Sequence, residues 1–457
     1  MTDDHTTPTP SSPEDIQKAM MGGVPAGRWT EGLLFDGIRP TPGLKSAANW
    51  FPKTEKLGHD EMQIIFMGTA PAIRPGQMNT SVFVRLGNGD SFIFDIGEGA
   101  IANYVAGGFA LNELNNIFLT HLHIDHFGSL PYLYMFGGYY GRWHEPLRVF
   151  GPDGRTEKDG LAYMIDGMQR MLHWHRDAFD VFPLGQGWDI EVNEFDHTDN
   201  GGVIYDENGV QVTHWQRSHC KDGASGYRLD WNGLSVVWTG DGRPNELDME
   251  FCEGVDVFIT ETQPELLAIS SGVQGVPPFL GRYTVDTHHT PSYATGYIAN
   301  QINPRLLMTT HMPFDTYVNE ETVAEIREHW KGPFHFGAPD GVVVNVTKDD
   351  IWVREGILPD FPNMRAPQQD FSDGALVVPE PNQKRVDMQE PFIRDKEIDP
   401  AKYYPEGYHP ELMTEWPVDS DLVVPVDVLP DAMYESMGEN WRDKQAYKRH
   451  ISELTAE

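Results

Sequence analysis

Short runs of β-branched and aromatic residues recur along the middle of the chain and limit what it can fold into. These runs are MQIIFMGTA, SVFVRL, SFIFDIG, NNIFLT, LRVFG, LSVVWTG, VDVFITE, RLLMTTH and GVVVNV, and segments with helical periodicity separate several of them. Runs of this length and composition are typical of buried strands, and their alternation with helices is typical of α/β proteins. We therefore predict an α/β domain over residues 61–350.

The two ends of the chain have a different texture. Residues 1–60 are rich in proline, threonine, glycine and charge, with little periodicity, which predicts a partly disordered tail followed by an irregular segment. Residues 351–457 hold 12 of the 34 prolines, which favours an extended, acidic arm. We expect this arm to wrap the core or a neighbouring subunit, and in the second case the chain would form a homo-oligomer through its terminal arms.

The charge balance limits the kinds of partner. The 457 residues include 34 lysines and arginines against 69 aspartates and glutamates, a net charge of -35. Such a surface repels phosphate, so we expect no nucleic-acid partner. Cys220 and Cys252 are too few for a disulfide framework. The sequence shows no signal-like start and no apolar run near the roughly 20 residues of a spanning helix, so we expect a soluble, cytoplasmic protein without membrane contact.

The segment THLHIDH concentrates metal-ligand side chains in one turn. His121, His123, Asp125 and His126 follow the apolar run NNIFLT directly and precede a helix-like segment. At a strand end, residues two apart point the same way, and the tightening turn brings the next residues alongside. Neutral imidazoles with a carboxylate suit a borderline cation such as Zn²⁺, and a cluster this dense can serve two ions.

This segment resembles the HxHxDH motif of the metallo-β-lactamase superfamily. RSHCKDGASGYRLDW, VVWTGDGRPNE and LLMTTHMPFD are similar to later signatures of that superfamily, in the same order. FMGTAPAIRPGQMNTSVFV, FIFDIGEG, DVFITETQ and HHTPSYA resemble segments of its ribonuclease Z and arylsulfatase-like branch. The resemblance covers roughly residues 62–346. It implies an αββα sandwich, with two mixed sheets inside, helices outside and a dinuclear metal site where strand-end loops meet.

Carried over position by position, the resemblance implies seven metal ligands. The first ion would be bound by His121, His123 and His219, the second by Asp125, His126 and His311, and Asp241 would bridge the two. His214 is close to His219 in the chain and is the alternative third ligand of the first ion. The implied cofactors are two zinc ions, with iron or manganese as alternatives, and open positions for a shared water.

Three residues are expected to act in catalysis. Asp125 would orient the attacking water in addition to its role as a ligand. The first histidine of HHTPSYA, His288, matches the His-x-Thr segment of the branch and would donate a proton or stabilise the transition state; His289 takes this role under a one-residue shift. Glu261 would fix the tautomer of that histidine, with a surface salt bridge as its alternative role.

The resemblance implies a metal-dependent hydrolase whose metal-bridging hydroxide attacks an ester-type bond. Residues 151–213, which we interpret as an insertion, hold 13 acidic and 4 basic residues, where a tRNA-processing enzyme would carry a basic arm. Their aromatic residues would line an apolar pocket or pack inside a lid; these are Trp174, Phe179, Phe182 and Trp188. We therefore predict a small aromatic or apolar substrate, such as a sulfate, phosphodiester, carboxylate ester or lactone.

Three alternatives to this function remain open. The first is tRNA 3′ processing of the ribonuclease Z type. The second is di-iron oxidation on the same fold, although proteins of that class typically carry glutamate at the position of His123. The third is a catalytically inactive scaffold, which the presence of all seven ligand positions disfavours.

Overall fold

The computed structural model describes residues 48–359 apart from residues 53, 112–113, 140–141, 143–144, 180–184 and 265–277. The statements below refer to the described residues. The predicted N-terminal tail, nearly all of the predicted C-terminal arm with its role in assembly, and Phe182 lie outside them.

The described residues form sixteen strands in two mixed sheets. In chain order the strands are β1 (Asn49–Trp50), β2 (Met62–Gly68), β3 (Ser81–Leu86), β4 (Ser91–Phe94), β5 (Asn116–Phe118), β6 (Leu147–Pro152), β7 (Ile190–Phe195), β8 (Val203–Glu207), β9 (Val210–Arg217), β10 (Ala224–Trp231), β11 (Leu234–Trp238), β12 (Val257–Glu261), β13 (Leu306–Thr310), β14 (Phe334–Phe336), β15 (Val342–Val346) and β16 (Ile351–Gly356). The nine-stranded sheet has the order β1-β16-β15-β2-β3-β4-β5-β6-β7, and the seven-stranded sheet has the order β14-β13-β12-β11-β10-β9-β8.

Helices cover the outer faces of both sheets. Their bounds are Ala100–Ala106, Ile124–Phe127, Leu130–Tyr139, Leu161–Met171, His173–Phe179, Glu246–Cys252, Pro278–His288, Ser292–Ile302 and Thr316–His329. Within the described part of the chain, none of them combines the length and apolarity needed to cross a bilayer.

Strand β2 shows how the layers form. Met62, Ile64 and Phe66 enter a buried cluster shared by both sheets, whereas Ile65 and Met67 enter a second cluster between the first sheet and its helices. Successive strand residues point to opposite faces, so a strand buried on both faces carries a continuous apolar run. A third cluster packs the second sheet against the helices Ser292–Ile302 and Thr316–His329. These three cores define four layers and confirm the predicted αββα sandwich.

The domain extends beyond the boundaries predicted from sequence. Strand β16 continues the first sheet past residue 350, and β1 pairs with it in parallel although the two are about 300 residues apart. Residues 151–213 do not form a separate insertion: they supply β7 to the first sheet, and β8 and part of β9 to the second. Hydrogen bonding between strands that are far apart in the chain cannot be predicted from the local sequence of either strand.

The aromatic residues of this segment do not share one pocket. Trp188 is 3% exposed and belongs to the core under the first sheet, and Phe179 packs partly against the same core. Trp174 is 80% exposed. Trp188 therefore packs in the core of the domain, whereas the sequence analysis predicts it in an apolar pocket or inside a lid.

The topology brings the ends of several strands to one edge. Strands β11, β12 and β13 are parallel neighbours in the second sheet, and β4 and β5 are parallel in the first. Carboxyl ends of parallel strands lie on the same side, so the turns after them meet. Each of the motifs predicted to bind metal follows β5, β11 or β13, or the end of β9.

Candidate metal centre

Three imidazoles converge above the end of β5, and we call them the imidazole group: His121, His123 and His219. His121 Nε2 lies 3.0 Å from His123 Nδ1, and His219 Nε2 lies 3.2 Å from the same atom. All three ligand-type nitrogens fall within 4.8 Å of one another. The structure thus brings together the three residues predicted to hold the first ion.

Two carboxylates and two imidazoles form a second set, the mixed group: Asp125, His126, Asp241 and His311. Asp241 Oδ2 lies 3.4 Å from His126 Nε2 and 3.3 Å from His311 Nε2. The same oxygen lies 4.0 Å from His219 Nε2 of the imidazole group. Asp241 therefore stands between the two groups, as a bridging ligand must. The part of each residue as a ligand stays a prediction.

Local backbone geometry aims these side chains. His123 precedes the short helix Ile124–Phe127, which places Asp125 and His126 in one helical turn. His311 follows β13 with φ 58°, and Gly240 precedes Asp241 with φ 60°. A Cβ on Gly240 would lie 2.6 Å from the side chain of Thr120, so this turn requires glycine.

Asp95 orients His126, a role that the sequence analysis missed. Its fully buried carboxylate accepts hydrogen bonds from His126 Nδ1 at 2.9 Å, Trp238 Nε1 at 2.7 Å and the Thr120 amide at 2.8 Å. A carboxylate on Nδ1 fixes the tautomer that turns Nε2 toward a metal. The available signal was the segment DIGEG, which begins at Asp95.

The structure distinguishes the two histidines considered for the third ligand. His219 Nδ1 donates to the carbonyl of His288 at 2.6 Å, which directs Nε2 into the imidazole group. The ring of His214 instead lies on β9, 4.1 Å from the ring of Phe195. The geometry therefore favours His219 as the ligand.

His289, rather than His288, presents its side chain to the centre. His289 Nδ1 lies 2.6 Å from Glu261 Oε2 and 3.8 Å from Asp241 Oδ2. The other oxygen of Glu261 accepts the Gly242 amide at 2.7 Å, so this buried carboxylate orients the ring. The catalytic prediction named His288 first; the structure gives that residue a backbone contact and favours the one-residue shift to His289.

The electrostatics of the centre suit bound cations. Burial lowers the pKa of each member of the imidazole group, that of His219 to about 4, so these rings are neutral and have a free lone pair. In the mixed group, burial opposes charge on His126. The negative charges of Asp241 and Asp95, and their hydrogen bonds, outweigh this burial and raise the pKa of His126 well above the usual range. Asp241 Oδ1 and His126 Nε2 are buried without a hydrogen-bond partner among the described residues. Buried donors and acceptors of this kind need a partner, and a divalent cation supplies one.

A separate set of ligand-type residues lies away from this centre. Asp153, Asp196 and His197 fall within 4.8 Å of one another, and His197 Nδ1 pairs with Asp153 at 2.5 Å. Asp196 is exposed, and its Oδ1 accepts the amide and hydroxyl of Thr198. These internal contacts account for the cluster as an ion pair and a turn.

Comparison with known proteins identifies relatives of the chain. A family model described as Anti-Pycsar protein Apyc1 matches residues 62–253. Ribonuclease Z of Methanothermobacter thermautotrophicus is 32% identical over 159 residues, which cover 35% of this chain and 45% of that protein. Ribonuclease Z of Mycolicibacterium paratuberculosis is 28% identical over 43% of this chain and 65% of its own length. The chain thus spans about half to two thirds of the length of these relatives.

A more distant match covers more of a relative. Ribonuclease Z of Thermococcus onnurineus is 24% identical over 340 residues, which are 66% of this chain and 99% of that protein. Among solved structures, the metallo-beta-lactamase fold protein YhfI from Bacillus subtilis has a TM-score of 0.47 and 18% identity, covering 63% of this chain and all of that one. Human tRNase Z, short form, has a TM-score of 0.42 and 20% identity, covering 55% of this chain and 92% of that one.

Proposed function

Because the chain belongs to the metallo-β-lactamase superfamily, in its ribonuclease Z branch, we propose that it hydrolyses phosphodiester bonds at a centre of two metal ions. The observation that carries this proposal is the position of Asp241 between two sets of ligand-type side chains. The imidazole group would hold one ion, the mixed group the other, and zinc suits the nitrogen-rich donor set.

The side chains around the centre have separable tasks. When bound by these residues, two ions would supply a water of lowered pKa and would stabilise negative charge on the phosphoryl oxygens. Asp125, whose Oδ2 lies 3.2 Å from His311 Nε2, accepts a hydrogen bond from the attacking water and so orients it. Glu261 holds His289 at Nδ1, which leaves Nε2 to give a proton to the departing oxygen. The proton that the water loses would pass to solvent before the attack, and His289 would regain a proton from solvent after the leaving oxygen departs.

RNA is the substrate class that the relatives favour. Three of the most similar curated proteins are ribonucleases Z, and this supports the tRNA-processing alternative better than aryl esters, sulfates or lactones. Two exposed aromatic residues on the helix Pro278–His288, which ends just before His289, agree with a substrate that carries nucleobases. Phe279 and Tyr283 lie one turn apart on the helix Pro278–His288, 75% and 58% exposed, and the Tyr283 ring is 6.1 Å from that of His288. Such rings stack on bases.

A small phosphodiester is the second candidate, and the acidity of the chain favours it. Residues 151–213 carry 13 acidic and 4 basic side chains, and the whole chain has a net charge of -35. Each phosphate of a polyanion that approaches such a surface meets repulsion, whereas a small substrate brings one phosphate directly to the metal ions.

A substrate panel tests the proposal. Zinc-loaded protein is incubated at about 0.1 M salt with a 3′-extended precursor tRNA, bis(p-nitrophenyl) phosphate, an aryl sulfate, an aryl ester and a lactone. We expect cleavage of phosphodiesters, with 3′ trimming of the tRNA. The Asp241→Ala variant, purified in the same way, reports contaminating nuclease. Turnover of the small phosphodiester alone selects the second candidate, whereas turnover only of the sulfate, ester or lactone contradicts phosphodiester hydrolysis.

Metal content is a separate prediction. Protein purified without chelator is expected to contain about two metal ions per chain, mostly zinc, by elemental analysis. His311→Ala should lower this to about one, because His311 belongs to the mixed group and not to the imidazole group. His335→Ala, which removes an exposed histidine outside both groups, should change nothing. Two irons with a visible absorption band would instead support the oxidoreductase alternative.

A further inference from the structure

Arg217 is a buried cation that has no role yet, since it is neither one of the proposed metal ligands nor the proposed proton donor. It ends β9, two residues before His219, and only 4% of its surface is exposed. A buried guanidinium is costly unless its donors are paired. Its Nη1 forms a short ion pair with Asp248, and its Nη2 donates to the Gly242 carbonyl at 3.0 Å and to Thr290 Oγ1 at 3.4 Å.

These contacts join three segments that each carry a residue of the centre. The Arg217 segment leads to His219, Gly242 follows Asp241, and Thr290 follows His289. The hydroxyl of Thr290 also donates to the Gly242 carbonyl, at 2.6 Å. Both donors therefore fix the peptide that follows Gly242, the residue directly after Asp241. A shift of that peptide moves Asp241 relative to the histidines on either side.

Asp248 is itself held in place, so Arg217 has a fixed anchor. It accepts a hydrogen bond from Trp215 Nε1 at 2.9 Å and lies in the first turn of the helix Glu246–Cys252. Its amide donates to the side chain of Asn245 at 3.0 Å in a capping box. The planar guanidinium donates to Asp248 from Nη1 and to the Gly242 turn from Nη2, whereas an ammonium group has its donors on a single nitrogen and cannot occupy both positions.

We propose that Arg217 is a positioning residue that sets the distance between the imidazole group and the mixed group through the Gly242 turn. An ion pair that served stability alone would need only Asp248, and apolar residues of similar volume stabilise a core as well or better. The donation of Nη2 toward the Gly242 carbonyl and Thr290 is what the stability role leaves unexplained. The inference rests on the proposed function only in that both require bound metal.

Metal affinity of the whole chain, measured without substrate, tests this role. Arg217→Lys keeps the charge but loses the two separate guanidinium nitrogens. We therefore expect zinc affinity, measured by competition with a chromophoric chelator, to fall about tenfold to a hundredfold. The visible spectrum of the cobalt-substituted protein should change with it. The matched control is Trp215→Phe, which removes the indole donor to Asp248 and leaves the Arg217 contacts to Gly242 intact. It should lower the unfolding temperature but keep metal affinity within about twofold.

Thr290→Val keeps the inference testable if the lysine variant does not fold. It removes the hydroxyl that contacts both Arg217 and the Gly242 carbonyl and preserves the side-chain shape, so it should weaken zinc binding in the same direction. Unchanged zinc affinity and an unchanged cobalt spectrum in a folded variant would overturn the positioning role. Failure of the unsubstituted chain to cleave phosphodiesters while it binds zinc would contradict the proposed function alone. Absence of metal binding would overturn both.

Discussion

Replacement of Asp125 by alanine is expected to lower turnover of a phosphodiester by at least about 10²-fold. The side chain belongs to the mixed group, with Oδ2 at 3.2 Å from His311 Nε2 and 3.5 Å from His126 Nε2. Burial opposes charge on this carboxyl, but its hydrogen bond with His311 and the neighbouring His126 outweigh burial and lower its pKa to about 2. It is therefore ionised at neutral pH, both as a ligand and as the acceptor that orients water. The variant loses both tasks at once.

Two further variants separate those tasks. Asp125→Asn keeps the shape of the side chain and one oxygen but not the charge, so a loss of metal in that variant identifies ligation as the main role. Asp196→Ala removes an exposed carboxylate from the cluster with Asp153 and His197, and it should leave both metal content and turnover unchanged. Full activity of Asp125→Ala on a substrate that the unsubstituted chain cleaves would remove Asp125 from the site.

Local pattern was sufficient to predict an α/β domain and a cluster of ligand-type residues after β5, whereas the four layers and the other proposed ligands were implied by the resemblance to a known superfamily. Strands buried on both faces, such as β2, require continuous apolar runs, which are visible in the sequence. Ligand-type residues that follow directly after such runs must lie at a strand end, as His121 does after β5 and His311 after β13. The short spacing of His121, His123, Asp125 and His126 then confines them to one turn, whatever the rest of the chain does.

Features that depend on contacts between distant segments could not be predicted in this way. The pairing of β1 with β16 and the edge strands from residues 151–213 arise from sheet closure, not from local texture. Asp95 and His126 form a hydrogen bond although they are 31 positions apart in the chain, and Arg217 and Thr290 form one although they are 73 positions apart. A buried hydrogen bond of this kind leaves no periodicity, because only the folded backbone decides which donor reaches which acceptor.

The choice between His288 and His289 is the sharpest case of this limit. The two are neighbours of the same type, and a match of one segment to a motif leaves a one-residue uncertainty in register. In the fold, the helix Pro278–His288 ends at the first histidine, and the second extends toward Glu261. One residue of offset thus decides which ring lies beside Asp241 and which contributes a carbonyl.

His289→Ala is accordingly expected to lower turnover by about 10²- to 10⁴-fold, the usual contribution of a positioned general acid, with metal content unchanged. His288→Ala is the matched control. It retains the backbone carbonyl that accepts His219 Nδ1 at 2.6 Å, so turnover should stay within about threefold of the unsubstituted chain. Both rates and the elemental composition are measured on the same preparations.

The outcome also defines the part that Glu261 plays. Burial opposes charge on His289, but the charge of Glu261 and its hydrogen bond outweigh burial and raise the pKa of the ring to about 9, so at neutral pH it carries the proton that the leaving oxygen needs. Glu261→Gln removes that charge and keeps the shape, so it should reduce turnover in the unsubstituted chain. In the His289→Ala background the same change should have no further effect, because both substitutions disable one proton donor. If His289→Ala instead loses an ion together with activity, His289 is a metal ligand, in keeping with its 3.8 Å approach to Asp241. A large loss of turnover in His288→Ala alone would return the donor role to His288.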